Sequence, residues 1–201
     1  MQGKKTAVVS GGSSGIGRAL VAELHRRGWS VHACGRDPAK LTQLERDFPG
    51  VHTAQCDVAE RAAVRRFAAD VMKAAPGVDL VVSNAGGLRE IDFTRDDLAS
   101  VDLTAELRIN TEGAIHLIAE FMPALRRARG QILVVSSGYA LAPALRAPIY
   151  SASKAALHSL CKALRRQLES SGVGVTELLP PVVDTPAVAH RKVAKLAPED
   201  P

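Results

Sequence analysis

The chain has 201 residues, 46 % of them hydrophobic and 23 % charged, a balance that suits one domain with a real core and excludes a disordered chain. The formal net charge is +5, yet basic and acidic residues are interspersed and aromatics make up only 3 %, so the excess does not form the basic, aromatic-laced face of a nucleic-acid binder. Cys34, Cys56 and Cys161 form no close pair in the sequence and are odd in number, which argues against a disulfide framework or a zinc site and fits a reducing compartment.

No stretch approaches the length of a membrane span. The opening MQGKKTAVVSGGSSG carries an apolar run too short for a signal peptide, so the expected location is the cytoplasm. The histidines at 25, 32, 52, 116, 158 and 190 show no ligand spacing and read as surface or packing residues.

From the N-terminus onward, short apolar, β-branched runs alternate with amphipathic segments. The runs are 6–10, 30–34, 51–55, 79–83, 131–135 and 173–179; the helical segments are 15–28, 38–48, 60–75, 102–128 and 148–171. Such runs read as strands buried on both faces, and the alternation predicts parallel βαβ units in a doubly wound α/β sheet, helices on both faces. One domain spanning 1–201 is expected. Asp37-Pro38 reads as an N-cap with proline at the first helical position, and Gly28 and Gly50 stand where helices hand over to strands. Segment 86–101 is the least regular and reads as a loop with a short helix.

The first strand runs into Ser10-Gly11-Gly12-Ser13-Ser14-Gly15-Ile16-Gly17, and a helix opens there. Glycines allow a sharp turn and close ligand approach, and the free N–H groups and dipole of a helix N-terminus favour a phosphate. Alone, the loop could be only a tight turn; between a first strand and first helix, phosphate binding is the better reading. After the second strand, an acid would bind a free ribose 2′-hydroxyl and an arginine a 2′-phosphate. Gly35 occupies the acidic position and Arg36 follows at once, which favours NADP(H); Asp37 could touch the ribose instead but reads as a helix cap. Asp57 and Val58 after the third strand, and Ser83-Asn84-Ala85-Gly86 after the fourth, fall at the same carboxyl edge.

The fifth strand delivers Ser136-Ser137-Gly138 to that edge, and Tyr150 and Lys154 follow. Positions four apart share a helix face. A tyrosine with a pKa near 10 is a poor proton donor at neutrality until an adjacent ammonium stabilises its phenolate. Ser137 could hydrogen-bond the same substrate oxygen, and Lys154 could also hold a ribose. A lone Tyr/Lys pair is usually a surface pair; the joint occurrence at one sheet edge lifts the functional reading.

These motifs together resemble the short-chain dehydrogenase/reductase family over nearly the whole chain. SGGSSGIG is similar to its cofactor motif and SNAG to its fourth-strand motif; Ser137, Tyr150 and Lys154 match its catalytic serine and Y-x-x-x-K pair. Asn110, in RINTEG, matches the asparagine that in the family bends a helix and holds a relay water. INTEGAIHL, PIYSASKAALHSL and ELLPPVVDT resemble the branch named after an oxidoreductase of the lipoteichoic acid D-alanylation operon. The resemblance implies a Rossmann-like fold and hydride transfer between NADP(H) and a carbonyl or alcohol. It places Gly11, Ser13, Ser14, Gly15, Ile16, Gly17, Arg36, Asp57, Val58, Asn84, Ala85, Gly86, Tyr150, Lys154, Val183 and Thr185 against the cofactor. The family's Pro-Gly turn is here Pro180-Pro181. With Pro201 as the last residue, a seventh strand is not expected, and segments 86–101 and 186–201 are left to shape the substrate side. Leu141, Pro143 and Leu145 hint at an apolar wall, though a packed loop explains them equally well. Homodimer pairing is expected near 102–128 and 148–171. The competing reading is a non-catalytic dinucleotide sensor or scaffold; it has no physical need for Asn110, Ser137, Tyr150 and Lys154 together.

Overall fold

The β-branched runs form six parallel strands: β1 (Thr6–Ser10), β2 (Ser30–Gly35), β3 (His52–Gln55), β4 (Leu80–Ser83), β5 (Gln131–Val135) and β6 (Gly174–Leu178). The computed structural model describes residues 4–95, 97–181 and 196–198; Val183, Thr185 and most of 186–201 lie outside them, as does any test of the seventh-strand expectation. The sheet order is β3-β2-β1-β4-β5-β6, with every neighbouring pair parallel. The order reverses between β1 and β4, and a ligand crevice opens at such a switch, outside the strands' carboxyl ends.

Helices α1 (Gly15–Arg26), α2 (Pro38–Asp47), α3 (Arg61–Ala74), α5 (Gly113–Ala128) and α6 (Pro148–Gln167) cover both faces. Each follows from its pattern of apolar positions. On one face Val21, Leu24 and Leu44 pack against Val9, Val31 and Val82. On the other Phe67, Leu117, Phe121, Leu125 and Leu157 pack against Val8, Val81, Ile132 and Val134. Asp37 caps α2 as expected, accepting from the N–H groups of Ala39 and Lys40 at 3.0 and 3.2 Å, with Pro38 at the first helical position.

Two expectations are corrected. Segment 102–128 is not one helix: a single turn, α4 (Ala105–Leu107), leads into a π-helical turn (Arg108–Glu112) before α5. Side-chain bonds made by Asn110, described below, hold that wider turn, and apolar periodicity does not register them. Strands β3 and β6 are not buried on both faces; His52 and Gln55 are exposed, as are Thr176 and Leu178, because both strands stand at sheet edges. All three cysteines are free and buried, and the β2–β3 register brings Cys34 and Cys56, distant in sequence, to adjacent strand ends.

The largest fully buried side chain is Phe121, packed edge-on against Phe67 with ring centroids 5.8 Å apart. Phe121→Ala is expected to cost about 3–5 kcal/mol of unfolding free energy, measured by urea denaturation; a loss below about 1 kcal/mol would mean that this face is not the core.

Candidate active site

The crevice is assembled first by Ser10, the last residue of β1. Its hydroxyl donates to the Val82 carbonyl and accepts from the N–H groups of Asn84 and Ala85 at 3.0 and 3.1 Å. The Asn84 carboxamide donates back to the carbonyls of Ser10 and Gly11. The loops after β1 and β4 are thereby locked across the switch point. Gly11 has a φ of +63°, and a Cβ there would lie 2.9 Å from Ala85 Cα. At Gly17 a Cβ would overlap the Gly11 carbonyl and the Asn84 amide. No side chain caps the N-terminus of α1, which leaves its N–H groups facing the loop for a ligand.

Beside this lock lies a cavity of about 310 Å³ lined by Gly11, Ser13, Ser14, Arg36, Asp57, Val58, Ala85 and Gly86, with Gly35, Asp37, Lys40, Cys56 and Ile109 completing its wall. Eight of the residues expected at the cofactor thus meet in one crevice; Gly15, Ile16, Gly17 and Asn84 do not line it. The Arg36 guanidinium makes no hydrogen bond or ion pair among the described residues. Asp57 accepts from the Ala59 N–H at 3.0 Å, so it caps locally while facing the crevice. No group of three metal-ligating side chains exists among the described residues, and none of their helices is long and apolar enough to cross a membrane.

At the other end, β5 leads to Ser137, and the turn that follows it packs against α6, which carries Tyr150 and Lys154. Lys154 is only 4 % exposed, and its ammonium donates to the Val135 carbonyl at 2.9 Å and lies 5.5 Å from the Tyr150 ring centroid. Burial lowers its pKa from 10.5 to about 8, because low-dielectric surroundings disfavour the cation. Ser137 accepts from the Tyr139 N–H at 3.2 Å, which leaves its own O–H free to donate. Asn110 is 1 % exposed. Its oxygen accepts from the Gly87 N–H at 2.8 Å, and its amide donates to the Gly87 carbonyl and the Ser153 hydroxyl.

Two contributors escaped sequence reasoning. Tyr139 meets the Tyr150 ring edge-on, centroids 6.2 Å apart, although no lysine shares its helical face; adjacency to Ser137 was the available signal. Glu106, one turn before Asn110, is buried and accepts from the Arg89 N–H at 2.7 Å; burial raises its pKa and the Arg89 N–H opposes that rise. Glu106 and Asn110 together pin the loop after β4. That loop meets the 141–147 segment through Ile91 N–H to the Arg146 carbonyl at 2.9 Å, beside a second cavity of about 740 Å³ lined by Ile91, Phe93, Leu145, Arg146 and Pro148 among others. Leu145 is 98 % exposed, which removes the packed-loop explanation for it.

The Lys154 shift fixes a sign. Below pH 8 the folded protein carries the full cost of a buried ammonium; between about 8 and 10.5 the unfolded chain holds the extra proton, so rising pH favours the fold. Without ligand, wild type is expected to gain stability relative to Lys154→Met from pH 7 to pH 10, read by chemical denaturation; parallel curves would contradict the burial account.

A family model described as short chain dehydrogenase matches residues 5–195. The chain is 39 % identical over 181 residues to an uncharacterized oxidoreductase, DltE, of Bacillus subtilis, covering 90 % of this chain and 72 % of that one. It is 30 % identical over 188 residues to an uncharacterized oxidoreductase of Staphylococcus saprophyticus, covering 90 % and 80 %. Among solved structures it resembles a short chain dehydrogenase from Burkholderia cenocepacia in complex with NADP, with a TM-score of 0.87 and 28 % identity over 98 % of this chain and 80 % of that one. An alcohol dehydrogenase from Thermococcus sibiricus shares the fold, with a TM-score of 0.88 at 24 % identity, covering 98 % and 86 %. With its doubly wound sheet and its crevice at the switch point, the chain belongs to the short-chain dehydrogenase family.

Proposed function

We propose that this protein is an oxidoreductase that transfers a hydride between NADP(H) and a carbonyl or alcohol substrate. The observation that carries the reading is the buried Lys154 ammonium, 5.5 Å from the Tyr150 ring, beside a serine whose hydroxyl is free to donate. The nicotinamide cofactor supplies or accepts the hydride when bound. The crevice fits such a group: glycine backbone and the open end of α1 for the pyrophosphate, Asp57 and Val58 for the adenine, and the unengaged Arg36 guanidinium for a 2′-phosphate. In this reading Val183 and Thr185 complete the nicotinamide end. The NADP complex of the Burkholderia relative supports the same assignment.

Tyr150 gives a proton to the carbonyl oxygen in reduction and takes one from the alcohol in oxidation. Lys154, charged below pH 8 or so, stabilises the phenolate left behind and holds the nicotinamide ribose. Ser137 donates to the same substrate oxygen, where negative charge develops. Asn110 keeps the loop after β4 against the site and, by holding the π-helical turn, orients the relay from Lys154 to solvent. The cavity where 86–95 meets 141–148 is the substrate side, with Phe93, Leu145 and Pro148 as an apolar wall.

Tyr150→Phe is expected to lower kcat by at least about a hundredfold while sparing NADPH binding, measured by NADPH oxidation against aldehydes, ketones and quinones alongside cofactor titration. Undiminished turnover would remove Tyr150 from the chemistry, and binding without turnover in wild type would favour a sensor. Arg36→Asp removes a charge-assisted contact worth about 1.5–3 kcal/mol, so the NADPH/NADH affinity ratio is expected to fall about tenfold or more; an unchanged ratio would contradict the 2′-phosphate role.

A further inference from the structure

The chemistry above leaves one pair of reactive groups unused. Cys34 is the penultimate residue of β2 and Cys56 the first after β3. Cys34 pairs with Ala54 in the parallel register, and strand alternation puts Cys56 on the same face as Ala54. The Cys56 N–H donates to the Gly35 carbonyl at 2.8 Å, which fixes the two strand ends together. Both side chains belong to one apolar cluster, so the two thiols stand close together under the strand ends.

The two are not equivalent. Cys34 is fully buried, whereas Cys56, 3 % exposed, lines the crevice between Arg36 and Asp57. Cys56 therefore stands at the crevice wall and Cys34 lies behind it. Their proton affinities divide in the same sense. The neighbouring Cys34 thiol holds the Cys56 thiol below its ordinary value, against the opposing effect of burial. The Cys56 thiol, together with burial, pushes Cys34 up. A cysteine at the crevice wall, backed by a second thiol buried behind it, is the arrangement of an attacking and a resolving cysteine.

We propose that Cys34 and Cys56 form a peroxide-sensitive dithiol beneath the adenosine end of the crevice, whose oxidation to a disulfide closes the crevice to the cofactor. This rests on the dinucleotide reading of that crevice. The Cys56 thiolate attacks one peroxide oxygen, the O–O bond breaks, and the departing hydroxide takes up a proton, leaving Cys56 as sulfenic acid. Cys34 then attacks the sulfenic sulfur, the S–O bond breaks, and water leaves with the Cys34 proton. Two thiols lose two electrons and two protons, and peroxide becomes two waters. An S–S bond of about 2 Å draws the sulfurs closer than two unbonded thiols stand. The adjoining Gly35-Arg36 and Asp57-Val58, which wall the crevice, must move with them. Bound cofactor covers Cys56 and protects it.

The test treats the reduced full chain with hydrogen peroxide, with and without NADPH, then maps the cysteine peptides by mass and titrates NADPH. The expected result is a Cys34–Cys56 cross-link, slowed by NADPH, with about tenfold weaker NADPH binding restored by dithiothreitol. In Cys34→Ala the resolving thiol is gone, so dimedone should trap sulfenic acid at Cys56; if that variant fails to fold, the wild-type map decides alone. A protein that binds NADPH yet keeps both thiols under peroxide, or forms the cross-link with binding unchanged, overturns the gate and leaves the oxidoreductase reading intact. Reduced protein that binds neither NADPH nor NADH overturns both.

Discussion

An ammonium group held out of water is costly unless something nearby uses its charge. Lys154 is such a group: buried under the end of β5, donating to one backbone carbonyl, its pKa drawn down to about 8. The site is arranged around that cost. Helix α6 carries Lys154 and Tyr150 on one face, β5 supplies the carbonyl and then Ser137, and the π-helical turn before α5 brings Asn110 within reach of Gly87 and Ser153. A hydrophobic residue of similar volume would make a more stable fold. On the proposed function, the lysine is explained by what its charge does to the neighbouring phenol.

The cofactor end depends on a different economy of bonds. Ser10 and Asn84 satisfy one another's loops across the gap between β1 and β4, so the crevice stands ready without a ligand. Because those two side chains hold the loops, no side chain is needed to cap the start of α1. Arg36 is uncommitted, whereas its neighbour Asp37 is engaged as the cap of α2. On the proposed function, that difference leaves Arg36 for a 2′-phosphate while Asp37 serves the helix.

Much of this was legible in the sequence because it is local. The six strands announce themselves as β-branched runs, Asp37-Pro38 as a cap, and the glycine loop by its place between strand and helix. What was not legible depends on contacts between distant segments. The π-helical turn at 108–112 follows from Asn110 reaching Gly87 and Ser153, which no 3.6-residue period reveals. Glu106 looks like a surface acid until the loop after β4 folds over it and its carboxylate takes the Arg89 N–H. Cys34 and Cys56 are strangers in sequence and neighbours only through the β2–β3 register. The edge exposure of β3 and β6 depends on strand order, which composition does not encode.

The central claim is that Lys154 tunes the proton affinity of Tyr150. The chain contains only two tyrosines, Tyr139 and Tyr150, so tyrosine labelled with carbon-13 at Cζ gives two resonances to follow with pH in the NADPH-bound protein. The account predicts that the Tyr150 signal, assigned by its absence in Tyr150→Phe, titrates below the ordinary value of about 10 and moves back up in Lys154→Met. A Tyr150 signal that titrates at or above about 10 in wild type, or is indifferent to Lys154, would contradict it.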